Sequence, residues 1–150
     1  MLVCIPIKVR HNENLIDTTL NLELIIGDSE FPMTKKFSIN VDNKDFNIID
    51  DDKMAMFFES LLISLQKKIP LDYKINSCLF CALSHYSVYG SDKYGTLICY
   101  KELKDKILSV NNKSDFVDLT DNKGFNVQET FYCSEFTEIT SGQWLYKDTI

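Results

Sequence analysis

The chain contains few of the residues that dominate disordered and fibrous proteins, with five glycines and three prolines among 150 residues. Because collagen-like and low-complexity sequences need far more of both, this scarcity excludes those classes. No apolar run approaches the roughly 18–20 residues that a membrane-spanning helix needs. The rest of the composition, 45% hydrophobic and 25% charged, is typical of a folded domain.

The chain also lacks a recognisable targeting signal and most catalytic motifs. Its N-terminal segment is interrupted by Pro6, Lys8 and Arg10 and has no small-residue cleavage site, so we expect a cytoplasmic, bacterial-type protein. With only His11 and His85, most catalytic triads are excluded. No phosphate-binding glycine loop, G-x-S-x-G turn or H-E-x-x-H helix is present.

Basic residues are outnumbered by acidic ones, which gives a net charge of −6. Nucleic acids and anionic lipids attract Lys and Arg, so we expect neither a nucleic-acid nor a membrane partner. An acidic domain is instead steered onto a basic surface, and we expect a protein partner such as a basic toxin or effector. The alternative is that the charge only keeps the protein soluble.

The N-terminal half predicts a sheet followed by a helix. Residues 1–10, 19–26 and 36–41 are strand-like, and apolar and polar residues alternate in the last two, which predicts an antiparallel sheet with one buried face. Residues 51–69 predict an amphipathic helix, with acidic residues 50–52 before it and Pro70 after it. Its apolar positions follow helical spacing: Met54, Phe57, Phe58, Leu61, Leu62, Leu65 and Ile69.

The C-terminal half predicts shorter elements. These are a strand over 94–100, a short helix over 101–109, and a hairpin that joins 115–120 to 125–133 through a turn at 121–124. We therefore expect one α+β domain over residues 1–150. In it, an N-terminal antiparallel sheet is packed by one amphipathic helix, and the C-terminal part is a zinc-stabilised hairpin region.

The cysteines carry the strongest chemical signal. Cys78 and Cys81 can hold one ion from a single turn, and zinc then needs two more ligands, for which Cys99 and Cys133 lie near the ends of predicted strands. We predict that these four residues bind a structural zinc ion, because a closed Cys4 shell has no open position for chemistry. Cys4 is expected in the core.

Two other interpretations of the cysteines remain open. Without a secretion signal, five cysteines indicate a reducing compartment, where free thiols are ordinary buried residues. The chain would then be a metal-free, cysteine-rich interaction domain. A redox pair at Cys78 and Cys81 is the other interpretation, but no thioredoxin-like strand, motif and helix surround it.

Four short motifs support the zinc interpretation: Cys78-x-x-Cys81, Tyr86-Ser87-x-Tyr89-Gly90, Gly95-x-Leu97-x-Cys99 and Val127-Gln128-Glu129-Thr130-x-x-Cys133-x-Glu135-Phe136. Together they resemble a family of small, functionally uncharacterised bacterial proteins over residues 78–136. The resemblance implies a metal site on the same four cysteines, which makes 78–136 the zinc-binding part. It implies no activity.

Other residues suggest two further roles. His85 could replace one cysteine as a zinc ligand, with Glu129 as general base, which would give a small zinc-dependent hydrolase. The simpler interpretation is a loop histidine without a role and a glutamate that reaches solvent at a strand edge. Tyr86, Tyr89 and Tyr94 could form a partner-binding loop, or could only cover the zinc site.

The leading prediction combines these observations. We expect a non-enzymatic intracellular protein-binding module with a structural zinc site. A concrete version is an immunity or inhibitor protein that occludes a toxin or effector.

Overall fold

The N-terminal half folds into an antiparallel sheet that carries one helix. The computed structural model describes residues 1–25, 33–49, 58–88, 95–120 and 123–147. Five strands form the first sheet in the order β4-β3-β2-β1-β5: β1 (Leu2–His11), β2 (Asn14–Ile25), β3 (Met33–Val41), β4 (Lys44–Ile49) and β5 (Tyr73–Asn76). The chain is thus mixed α+β, as predicted. The strand β4 was not predicted.

Alternation along the strands separates a buried face from an exposed one. Leu20, Leu22 and Leu24 of β2 are buried, and so are Phe37 and Ile39 of β3, while their strand neighbours are more exposed. Period-two alternation places successive side chains on opposite faces, so this pattern confirms the predicted one-sided burial.

Cys4 lies on the exposed face of this sheet, and its predicted place in the core is wrong. Its neighbours along β1 are half-buried, whereas the Cys4 side chain is exposed and its thiol donates to Asn21 Oδ1 at 3.3 Å. Successive side chains of a strand point to opposite faces of the sheet, so the position of Cys4 in β1 decides which face it occupies. The apolar character of its side chain does not override this.

The helix α1 (Phe58–Lys68) packs on β3 and β4. The rings of Phe58 and Phe37 meet edge to face with centroids 5.5 Å apart, and Leu61, Leu62 and Leu65 are buried. These contacts confirm the predicted amphipathic helix over its described part. The predicted first turns, residues 50–57, lie outside the described residues.

The chain divides into two compact units, residues 1–75 (unit 1) and 76–149 (unit 2). Nothing tests the predicted single domain, which stays a prediction. The described elements of unit 2 are short. Its helices are two 3-10 helices, Cys78–Phe80 and Lys101–Leu103, and two α-helices, α2 (Lys104–Leu108) and α3 (Lys113–Thr120). Its antiparallel sheet has the strand order β6 (Ser84–Tyr86), β7 (Thr96–Cys99) and β8 (Phe125–Gln128).

The predicted strand over 115–120 is wrong, because this segment belongs to α3. Asn112 caps the helix: its Oδ1 accepts the Asp115 N–H at 3.0 Å and its Nδ2 donates to the Asp115 carboxylate at 2.7 Å. Phe116 and Thr120, four residues apart, form the buried side. The predicted hairpin with 125–133 is therefore absent, and β8 itself ends at Gln128.

Among the helices of the described segments, none combines the length and the apolar character needed to cross a membrane.

The turn between β3 and β4 offers a test of the sheet. Asp42 and Asn43 form a two-residue turn with φ of 49° and 62°, the left-handed region that Asn tolerates better than β-branched residues. We expect Asn43→Val to lower the free energy of unfolding by about 1–2 kcal/mol and Asn43→Gly to leave it unchanged or raise it slightly. Urea denaturation measures both, and equal stability of the two variants would contradict this turn geometry.

Candidate metal centre

Main-chain pairing brings the segment of Cys133 to the turn that carries Cys78 and Cys81. Three backbone hydrogen bonds join the two segments: Cys78 N–H to Phe131 O at 2.6 Å, Leu79 N–H to Glu129 O at 3.0 Å and Ala82 N–H to Thr137 O at 2.8 Å. Cys81 also forms an antiparallel bridge with Glu138. Cys133 lies within the stretch that these bonds anchor, although the predicted strand does not reach it.

Cys99 reaches the same region from the second sheet. It is the last residue of β7 and pairs with Ser84 of β6, which follows Cys81 by three residues. The next residue, Tyr100, donates its N–H to the Leu83 carbonyl at 2.8 Å. The structure therefore confirms the predicted position of Cys99 at a strand end.

Burial and the neighbouring thiols raise the pKa of two of the cysteines. Burial, followed by repulsion from Cys81, Cys99 and Cys133, raises the pKa of Cys78 to about 12. Burial also raises the pKa of Cys99, and Cys81 and Cys133 add smaller contributions.

Two backbone amides point at the sulfur atoms. The Thr137 N–H donates to Cys81 Sγ at 3.5 Å, and the Lys101 N–H donates to Cys99 Sγ. Donors to sulfur favour the thiolate, the form that binds metal, and orient it as outer partners of metal ligands do. Four cysteine thiolates are one of the donor sets that structural zinc sites use.

The four thiols do not form a finished coordination shell as they stand. Within the described ranges, no group of three or more Cys, His, Asp or Glu side chains is placed to hold a metal ion. Zinc–sulfur bonds are about 2.3 Å long, and a closed shell needs all four sulfur atoms at that distance from one ion. The zinc site predicted on Cys78, Cys81, Cys99 and Cys133 stays a prediction.

His85 is a core residue and not the predicted loop histidine. It lies in β6 with 1% of its surface exposed, and its ring is 4.8 Å from that of Phe116 and 6.4 Å from that of Trp144 between centroids. Its Nδ1 accepts the Tyr146 N–H at 3.0 Å, which leaves the proton of the neutral ring on Nε2. No described group hydrogen-bonds Nε2.

The surroundings of His85 keep its ring neutral. Burial, followed by the positive charge of Lys147, lowers the pKa of His85 to about 3, and the Ala82 carbonyl partly opposes the shift. The ring therefore acts as a hydrogen-bond acceptor inside an aromatic cluster.

Glu129 is also buried, so the expectation that it reaches solvent is wrong. Only 2% of its surface is exposed, and Tyr86 OH donates to its Oε1. Gly95 closes over this pair: a Cβ there would lie 2.8 Å from the Tyr86 ring and 3.0 Å from Glu129 Oε1. Tyr86 is 9% exposed and so presents little surface to a partner, while Tyr89 and Tyr94 lie outside the described residues.

Sequence analysis missed the polar groups around the cysteines. Lys147 Nζ contacts the carbonyl oxygens of Cys78 and Cys81, 69 and 66 residues away along the chain. No local pattern predicts a contact at such separation. Lys101, two residues after Cys99, was a local signal, because its backbone N–H donates to that sulfur, whereas the Thr137 N–H donates to Cys81, 56 residues away.

The low pKa of His85 predicts a specific acid sensitivity. Burial holds the pKa of His85 at about 3 in the folded protein, against its usual 6.5, so unfolding between these pH values takes up a proton. The contribution of neutral His85 to the free energy of unfolding is fully present above pH 6.5 and is lost as the pH falls. At pH 5 the free energy of unfolding should be lower by about 2 kcal/mol.

The variant His85→Asn, whose Oδ1 can accept the Tyr146 N–H, should remove this part of the pH dependence. Urea denaturation of both proteins at pH 7 and pH 5 measures the difference. Parallel losses in the two proteins would show that His85 is not buried in the neutral form.

No protein-family model, no curated protein and no solved structure matches this chain. The site is therefore interpreted from its geometry alone.

Proposed function

We propose that this chain is a non-enzymatic protein-binding module whose unit 2 is stabilised by a structural zinc ion on Cys78, Cys81, Cys99 and Cys133. The observation that carries the proposal is the main-chain pairing that brings the strand end of Cys99 and the segment of Cys133 to the turn of Cys78 and Cys81. Zinc would replace thiol protons and tie these segments together, so that metal binding and folding are coupled.

The hydrogen bonds and burial of His85 and Glu129, the two residues that a hydrolase would use, favour a structural role for the zinc ion over a catalytic one. The Nδ1 atom of His85 accepts a backbone N–H from Tyr146, and Glu129 Oε1 accepts the hydroxyl of Tyr86. Both side chains are almost fully buried. A catalytic zinc needs three protein ligands and an accessible position for water, whereas four cysteines fill the shell.

The binding role is supported by charge. The chain carries a net charge of −6, which steers it towards a basic protein and away from nucleic acid and anionic membranes. The proposed activity is that of an immunity or inhibitor protein, which occludes a basic toxin or effector in the cytoplasm. A reducing compartment would keep the five thiols available.

Metal analysis of the purified full chain tests the zinc site. We expect one zinc per chain and four thiols protected from alkylation until a chelator is added, because zinc-bound thiolates are shielded. Cys133→Ser should lose most of the zinc. Cys4→Ser is the matched control and should retain it, because Cys4 is exposed on the first sheet.

Two outcomes would contradict this site. A folded wild-type chain without zinc would leave a metal-free cysteine-rich domain. Loss of zinc in His85→Ala, with all four cysteines intact, would identify the histidine as a ligand and favour a hydrolase.

Complex formation tests the binding role. Tagged protein expressed in its native host should copurify with one basic protein at a one-to-one ratio. Because opposite charges steer the encounter, the association rate of the purified pair should fall by about tenfold or more as the salt concentration rises from 20 to about 300 mM. A partner whose association ignores salt, or the absence of a stoichiometric complex, would refute the proposed partner class.

A further inference from the structure

Unit 2 contains a cleft of about 320 Å³ that is lined by residues of β7, β8 and α3. Small-molecule sites usually have volumes of about 300–1,000 Å³, so this cleft is large enough for a compact ligand. Part of its wall is apolar, because the aliphatic side chains of Ile98 and Val117 line it together with the rings of Tyr100 and Phe116. Such a wall suits an apolar ring.

Contacts within unit 2 hold this wall in place. Tyr100 and Phe116 meet edge to face with ring centroids 5.8 Å apart, and the Thr120 hydroxyl donates to the Phe116 carbonyl at 2.6 Å. The backbone of Gly124 packs directly on the wall, since a Cβ there would clash with Ile98 Cγ2 and lie 2.7 Å from the Tyr100 ring. The cleft is therefore formed by the fold before any ligand binds, which lowers the cost of binding.

The polar part of the lining is suited to a negative group. Among the lining residues, Lys123 carries the only charge at neutral pH and none is acidic. Lys123 is exposed, and in the described part of the chain its ammonium group has no carboxylate partner. The exposed Asn126 also lines the cleft, and its amide can donate hydrogen bonds. An ammonium group together with an amide donor is suited to a carboxylate.

We infer that this cleft binds a small aromatic carboxylate. The ring of the ligand packs against Ile98, Val117 and Phe116, and its carboxylate pairs with Lys123 and accepts a hydrogen bond from Asn126. The lining favours an anion over a cation because it offers a positive charge and no negative one. This site uses none of the four cysteines, so it depends neither on the proposed zinc ion nor on a protein partner.

Benzoate is the probe that tests the site, with benzamide as its neutral counterpart and benzylamine as a cationic one. In NMR titrations of the isotope-labelled full chain, benzoate should bind saturably with a dissociation constant of about 1 mM or lower, which is reasonable for so small a ligand. The amide signals of Val117, Lys123 and Asn126 should move. Benzamide should bind about fivefold more weakly because it cannot form the ion pair with Lys123, and benzylamine should bind more weakly still.

Three variants separate charge, cleft and net charge. Lys123→Met should reduce the affinity for benzoate about fivefold and leave that for benzamide unchanged. Lys106→Met is the matched control: Lys106 is exposed on α2 and does not line the cleft, so the same change in net charge should leave benzoate binding unchanged. Val117→Phe places a ring in the cleft and should abolish the binding of both benzoate and benzamide.

The site would be overturned if no saturable binding occurred at about 10 mM benzoate, or if the shifted amide signals lay outside the cleft. Equal affinities for benzoate and benzamide, or equal losses in Lys106→Met and Lys123→Met, would refute recognition by Lys123. Urea denaturation checks that each variant folds. Should Val117→Phe not fold, Val117→Leu takes its place and should weaken both probes, and an unchanged affinity would refute the cleft. None of these outcomes alters the zinc content, so failure of the cleft leaves the proposed function untouched.

Discussion

The backbone hydrogen bonds between residues 78–82 and the segment 129–137 are the constraint on which the candidate site depends. Buried amides and carbonyls must find partners, and here the partners lie some fifty residues away along the chain. These bonds bring the segment that contains Cys133 to the turn of Cys78 and Cys81, although this segment forms no strand and β8 ends at Gln128. The proximity of these two backbone segments is therefore set by main-chain pairing.

The first sheet shows what a sequence pattern can predict. Alternation in β2 and β3 identifies the buried face because one side of the sheet meets the core and the other meets water. Strand β4 was not predicted because its alternating run, Asp45 to Ile48, is only four residues long. The turn residues Asp42 and Asn43 were the available signal, since both adopt positive φ as a two-residue hairpin requires.

The second unit shows where local patterns fail. Phe116, Val117 and Leu119 suit a strand, but the cap at Asn112 starts a helix and long-range packing retains it. The ring of Phe116 lies against His85, Trp144 and Tyr146, which come from other segments. The cysteine spacing alone was enough to identify a candidate set of ligands, whereas the contacts of Lys147 depend on tertiary structure that no local window contains.

The described interiors of the two units differ in their buried polar side chains. Every buried polar side chain in the described segments belongs to unit 2: Asn76, Ser77, Ser84, His85, Thr120 and Glu129. Such groups are costly unless they are hydrogen-bonded, and Asn76 Oδ1, Ser77 Oγ and His85 Nε2 find no partner there. Strands of three or four residues add little stability of their own. Under the function proposed above, a metal ion would add stability to this region, because metal binding and folding are coupled. Departures from a simple apolar core are expected where function constrains the sequence.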